Sequence, residues 1–143
     1  MTFEQLYIAE KLSQVDKRFD ELKKFLRFSK EEILADQEKM YVAERVFQLI
    51  VDNMTDINQY LIKELNLGDF TDPLGTFYIL GDNEILPGEF AFKIAPVVAV
   101  RNRLVHDYEA LNQELFITNL ISNYVDFSEY IKFIRKFLEK TIK

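Results

Sequence analysis

The stretch from Gln37 to Leu65, QEKMYVAERVFQLIVDNMTDINQYLIKEL, decides the fold. Its apolar residues recur at spacings of three and four, which is the period of one face of an α-helix. No Gly or Pro interrupts it. We therefore predict one long amphipathic helix, followed by Gly68 as a left-handed C-terminal cap. The apolar stripe consists of Tyr41, Val42, Val46, Leu49, Ile50, Met54, Ile57, Tyr60 and Leu61.

The sequence on both sides of this helix predicts more helices. Every Gly and Pro lies within residues 68–96, so the flanks lack strong helix breakers. The further helices are predicted over residues 2–27, 29–35, 73–80, 89–105 and 113–140. Ser29 and Asn112 are suitable N-caps, and Pro96 is expected to kink the helix that contains it. The chain is therefore predicted to be all-α, an antiparallel four-helix bundle with one or two short extra helices, forming a single domain over residues 1–143.

Composition restricts the chemistry of this chain. Its 143 residues carry a net charge of −6, with no Cys and a single His. A disulfide scaffold, a thiolate metal site, a Cys nucleophile and a His-rich metal site within one chain are therefore excluded, and we expect no cofactor. The negative charge argues against general coating of nucleic acids. Neither a signal peptide nor a membrane-spanning run is present, so a cytoplasmic protein without a membrane partner is expected.

The most distinctive polar segment is RNRLVHDY, residues 101–108. It follows the apolar run IAPVVAV, so a mostly buried helix ends in a cluster of polar side chains. One interpretation is a simple helix terminus, because basic residues in a last turn complement the helix dipole. The alternative is a functional site, in which Arg101 and His106 act together.

The order of these residues resembles the HepT-like toxins of the HEPN superfamily. Arg101, His106 and Tyr108 form an Arg-x4-His-x-Tyr motif. The segment YVAERVFQ, residues 41–48, also resembles the second-helix block of that family. The helix order agrees as well, so the resemblance covers most of the chain. Pro96, one turn before Arg101, departs from the uninterrupted helix expected there.

The resemblance implies a metal-independent ribonuclease that acts as the toxin of a type II/VII-like toxin–antitoxin system. The RNA substrate would be a tRNA or an mRNA, and catalysis would use Arg101 and His106 at the cleft of a homodimer. The partner would be an MNT-type nucleotidyltransferase antitoxin. It would silence the toxin by transferring AMP to Tyr108.

The residue chemistry is compatible with this function. RNA can be cut without a metal because its own 2′-OH attacks the adjacent phosphorus. His106 can transfer protons near neutral pH, and Arg101 can stabilise the phosphorane. Asn102 could orient His106, contact phosphate or cap the helix. Arg103 could hold the RNA backbone, and a solvated or ion-paired Arg103 is an equal alternative.

The single histidine makes dimerisation a mechanistic expectation, because a two-fold axis would bring a second His106 to the site. Arg101 and His106 are separated by about 500° of rotation on an ideal helix. They can face one cleft if the helix unwinds near Val105, or if they come from different protomers. A function of another class is also open: a non-catalytic helical module that binds a nucleotidyltransferase or a nucleotide.

Overall fold

The computed structural model describes the backbone of residues 5–142 and the side chains of residues 6–141. The α-helices are α1 (Gln5–Phe25), α2 (Lys30–Leu34), α3 (Gln37–Glu64), α4 (Pro73–Asp82), α5 (Gly88–Ile94), α6 (Val97–His106), α7 (Gln113–Asn123) and α8 (Val125–Ile142). A short 3₁₀ turn, Tyr108–Ala110, follows α6. The predicted helix start at Thr2 lies outside the described residues.

The antiparallel four-helix arrangement is confirmed. Its main elements are α1, α3, the α5–α6 pair and the α7–α8 pair, with α2 and α4 as short additions. The long helix α3 packs against α1, α4 and α6, and α8 packs against α1. The α3 residues Ile50, Met54, Ile57 and Leu61 are fully buried. Burial of this apolar face on its neighbours is the main driving force for the fold.

The local start signals act as predicted. Ser29 and Glu32 form a reciprocal capping box at α2. The Asn112 side chain accepts a hydrogen bond from the Leu115 N–H at the start of α7. Pro73 occupies the first turn of α4. Each signal depends on residues within one turn, which is why the sequence alone reveals it.

The end of α3 differs from the prediction. Asn66 (φ 53°), not Gly68, takes the left-handed cap position. The Leu67 N–H donates to the Ile62 carbonyl at 2.9 Å, and the Asn66 N–H donates to the Lys63 carbonyl at 3.4 Å. This is the hydrogen-bond pattern of a Schellman motif, in which Asn is an accepted alternative to Gly.

Two predicted single helices are divided. Pro96 lacks an N–H and separates α5 from α6, as expected of a proline inside a helical segment. Tyr124 separates α7 from α8, and there the Phe127 N–H donates to the Tyr124 carbonyl three residues back. The second break carries no Gly or Pro signal. The division at Pro96 gives the motif a short helix of its own, α6.

Candidate active site

The polar motif occupies the second half of α6, whose first half is held in the core by Val98. The helix continues through His106, and the Asp107 N–H still donates to the Arg103 carbonyl at 3.0 Å. The proposed unwinding near Val105 therefore does not occur. Arg101 and His106 lie about 140° apart around the helix and about 7.5 Å apart along it. Among the described residues, the Arg101 side chain is hydrogen-bonded to Asp52 and Asn102, and no hydrogen bond joins it to His106.

Arg101 is held by an acidic residue of α3. Its Nε donates to Asp52 Oδ1 at 2.7 Å, and both side chains are partly exposed. Its Nη1 also lies 3.4 Å from Asn102 Oδ1. Since a guanidinium has five N–H donors, this ion pair fixes the group and still leaves donors for an anion. Both members of the pair border an open cavity of about 380 Å³ between α3, α4 and α6.

The other polar side chains of α6 are directed to solvent. Asn102, Arg103 and His106 are exposed. The ion pair considered for Arg103 is not formed with any residue that the structure describes. Exposure at the end of a helix makes His106 accessible to a large substrate.

Tyr108 belongs to a separate cluster beyond the end of α6. Its hydroxyl donates to the Glu44 carboxylate, with Oη 2.8 Å from Oε2 and 3.0 Å from Oε1. The Gln113 Nε2 donates to Tyr108 Oη at 2.6 Å. The tyrosine is 39% exposed, whereas Glu44 is 7% exposed. The cluster thus combines a buried carboxylate with an accessible phenol.

Burial dominates the electrostatics of this cluster. It raises the pKa of Glu44, although the hydrogen bonds from Tyr108 and Gln113 act in the opposite direction. Burial, together with the hydrogen bond to the Glu44 carboxylate, raises the pKa of Tyr108. Both groups therefore hold a proton more firmly than they would in water.

Sequence reasoning missed three residues that contact the motif: Asp52, Glu44 and Gln113. For Glu44 a signal was available, because this charged residue interrupts an apolar pattern between Ala43 and Phe47, both of which are buried. The pairing itself crosses from one helix to another, so no local pattern reveals it.

Within residues 5–142, no group of three or more His, Asp or Glu side chains is arranged to hold a metal ion. The helices of the same region are all too short or too polar to cross a membrane.

Comparison with known proteins identifies the family. The ribonuclease HepT-like family matches residues 15–134. A tRNA nuclease HepT from Aphanizomenon flos-aquae is 30% identical over 135 residues, covering 94% of this chain and 92% of the relative.

Solved structures agree on the fold. A tri-AMPylated HEPN toxin from Shewanella oneidensis, in complex with an MNT antitoxin, has a TM-score of 0.84 at 18% identity, covering 94% of this chain and 99% of that one. The cytosolic protein YutE of Bacillus subtilis, of unknown function, has a TM-score of 0.84 at 14% identity, covering 96% and 92%. The length of the family match and the sequence identity to the nuclease together show that this chain belongs to the ribonuclease HepT-like family.

Proposed function

We propose that this chain is the toxin of a toxin–antitoxin pair: a metal-independent ribonuclease that cleaves cytoplasmic tRNA or mRNA. The observation that carries the proposal is the Arg-x4-His-x-Tyr motif at the accessible end of α6, in a chain of the ribonuclease HepT-like family. The relative from Aphanizomenon flos-aquae, described as a tRNA nuclease, favours tRNA.

In the proposed reaction the RNA 2′-OH attacks the adjacent phosphorus and the 5′-oxygen leaves. His106 accepts the proton of the 2′-OH and delivers it to the 5′-oxygen as that oxygen leaves, and Arg101 binds the phosphoryl oxygens that gain charge. Asp52 fixes the guanidinium through the 2.7 Å ion pair, so little reorganisation is needed during the reaction. Asn102 and Arg103, both exposed beside Arg101, are assigned to RNA backbone binding.

A homodimer completes the proposed site. Because Arg101 and His106 face different sides of a continuous α6, we assign each cleft one residue from each protomer. Exposed apolar side chains on and near the motif support an interface there: Val105 is 41% and Tyr41 is 56% exposed. Tyr41 lies near Tyr108 and adds slightly to the increase in the pKa of Tyr108, after burial and the contact with Glu44.

Silencing by AMP transfer to Tyr108 is the second part of the proposal, with an MNT-type nucleotidyltransferase as the antitoxin. The Shewanella oneidensis toxin, described as tri-AMPylated and in complex with an MNT antitoxin, supports this arrangement. The phenol is accessible to a partner. Each AMP would add a negative phosphodiester two residues from His106, where it would repel RNA and obstruct the cleft.

Cleavage is tested with purified, unmodified protein on tRNA and mRNA in the presence of a chelator. Arg101→Ala and His106→Ala should each lower the rate by about 10²-fold or more. Arg135→Ala is the matched control. Arg135 lies on α8, away from the motif, and like Arg101 it forms an ion pair with an aspartate, Asp16. If the unmodified dimer cuts no RNA and still binds the nucleotidyltransferase, the non-catalytic binding module is the correct function.

Modification is tested by intact mass. Co-expression with the nucleotidyltransferase should add mass in steps of one AMP, and Tyr108→Phe should prevent the gain. An unchanged mass of the wild-type chain would contradict the silencing mechanism without affecting the test of cleavage.

A further inference from the structure

Glu44 is an unusual residue in this bundle, because a carboxylate is buried without a basic partner. It is 7% exposed and lies on α3 between core positions. Among the described residues, no Lys or Arg nitrogen lies within 4.0 Å of it, and its hydrogen bonds come from Tyr108 and Gln113. Burying a carboxylate is costly unless it is neutralised or compensated. Such a group in contact with a reactive hydroxyl is a candidate for proton transfer.

We infer that Glu44 is the general base for modification of Tyr108, accepting the phenol proton as Oη attacks the α-phosphorus of a nucleoside triphosphate. This inference rests on the proposed function. The Tyr108 Oη–Pα bond forms, the bond from Pα to the pyrophosphate oxygen breaks, and the proton passes from Oη to a Glu44 oxygen. The antitoxin supplies the nucleotide site, and this chain supplies both the nucleophile and its base.

The geometry of the cluster favours this transfer. Both carboxylate oxygens lie within 3.0 Å of Oη, so the proton has a short path without an intervening water. The Gln113 amide donates to the same oxygen at 2.6 Å, which stabilises negative charge as the phenol loses its proton. Gln113 begins α7 and Glu44 belongs to α3, so two helices fix the two contacts to Oη.

Charge balance gives a second reason. Before the reaction the cluster carries one negative charge, on the carboxylate. Afterwards it carries one negative charge, on the phosphodiester, while Glu44 is a neutral acid. The raised pKa of Glu44 favours retention of that proton. At the moment the phosphodiester forms, the cluster therefore holds one anion rather than two in a poorly solvated site.

The test measures the single-turnover rate of AMP incorporation with purified nucleotidyltransferase and ATP. Glu44→Gln keeps an acceptor for the tyrosine hydroxyl but cannot take its proton. We expect a fall of about 10²-fold or more, with little change in the ATP concentration at half-maximal rate. Glu44→Asp should recover part of the loss. Glu64→Gln, the same change at an exposed position of α3, is the control.

The outcomes separate the inference from the function on which it rests. A wild-type chain that gains no AMP refutes the modification itself. The role of Glu44 is refuted if a folded Glu44→Gln variant gains AMP at a rate within about two-fold of the wild-type rate. If Glu44→Gln does not fold, Glu44→Ala with sodium formate replaces it. Formate should raise the rate and formamide should not, and no increase with formate counts against the inference.

Discussion

Mixed dimers of Arg101→Ala and His106→Ala chains test how the ribonuclease site is assembled. On the continuous helix α6 the two residues start about 140° apart around the axis, so we expect the two side chains of one chain to face different clefts. If each of two clefts takes Arg101 from one protomer and His106 from the other, a mixed dimer loses both residues from one cleft. Its second cleft keeps both residues intact.

The number of intact clefts in each dimer gives the expected activity. Each variant alone is inactive, because both clefts of its homodimer lack a residue. A pure mixed dimer should have about half of the wild-type activity, and random mixing in equal amounts should give about a quarter. A site built within one chain predicts no recovery at all, because every chain in the mixture is defective.

The assay uses chains with two different affinity tags, so that the mixed dimer can be purified and its initial rate of tRNA cleavage compared with wild type. A mixture of Arg101→Ala chains carrying both tags is the control for exchange and handling. Recovery to about half supports the shared cleft. A mixed dimer as inactive as the two variants would refute the geometric reasoning.

Three further predictions concern residues that support the site or the core. Asp52→Asn should lower kcat for RNA cleavage about ten-fold, because Arg101 loses its 2.7 Å ion pair. The same change should lower KM at low salt, because it removes a negative charge beside the RNA site. Steady-state kinetics measure both constants. Tyr130→Phe should lower the free energy of unfolding by about 1–3 kcal/mol in a urea titration, because Asn58 Oδ1, 2.6 Å from the Tyr130 hydroxyl, would be left buried without that donor. Glu44→Gln should alter the pH dependence of stability. Because the folded-state pKa of Glu44 is raised, wild-type stability declines as pH rises from about 4.5 through the folded pKa; the Tm of the variant, compared across this range, should lack that decline.

The sequence was sufficient for most of the helices, although not for the break at Tyr124, because most of their signals are local. The α3 segment needs only its apolar period, and the Ser29 capping box needs only residues one turn apart. Pro96 breaks its helix because it lacks an N–H. Tyr41 and Val42, predicted as part of the apolar stripe, are instead exposed. Periodicity identifies an apolar face and gives no indication of how far neighbouring helices cover it.

The contacts of the candidate site could not be predicted in the same way. Arg101 and Asp52 are 49 positions apart, and Tyr108 and Glu44 are 64 positions apart. Each pair depends on how α6 and the following turn pack against α3, which is a tertiary property. Acidic residues are common in this chain, so no pattern distinguished Asp52 from the rest, and the position of Glu44 within an apolar pattern did not indicate its partner.

Arg101 and Tyr108 are both held by acidic residues of the same helix, α3. Asp52 and Glu44 lie eight residues apart on α3, or about 12 Å, and hold Arg101 and Tyr108 respectively. AMP on Tyr108 would remove the hydroxyl donor to Glu44 and would leave the Arg101–Asp52 pair intact. The arginine would therefore keep its position in the modified protein. Silencing is then expected to act by obstruction and charge at the cleft rather than by dismantling the catalytic residues.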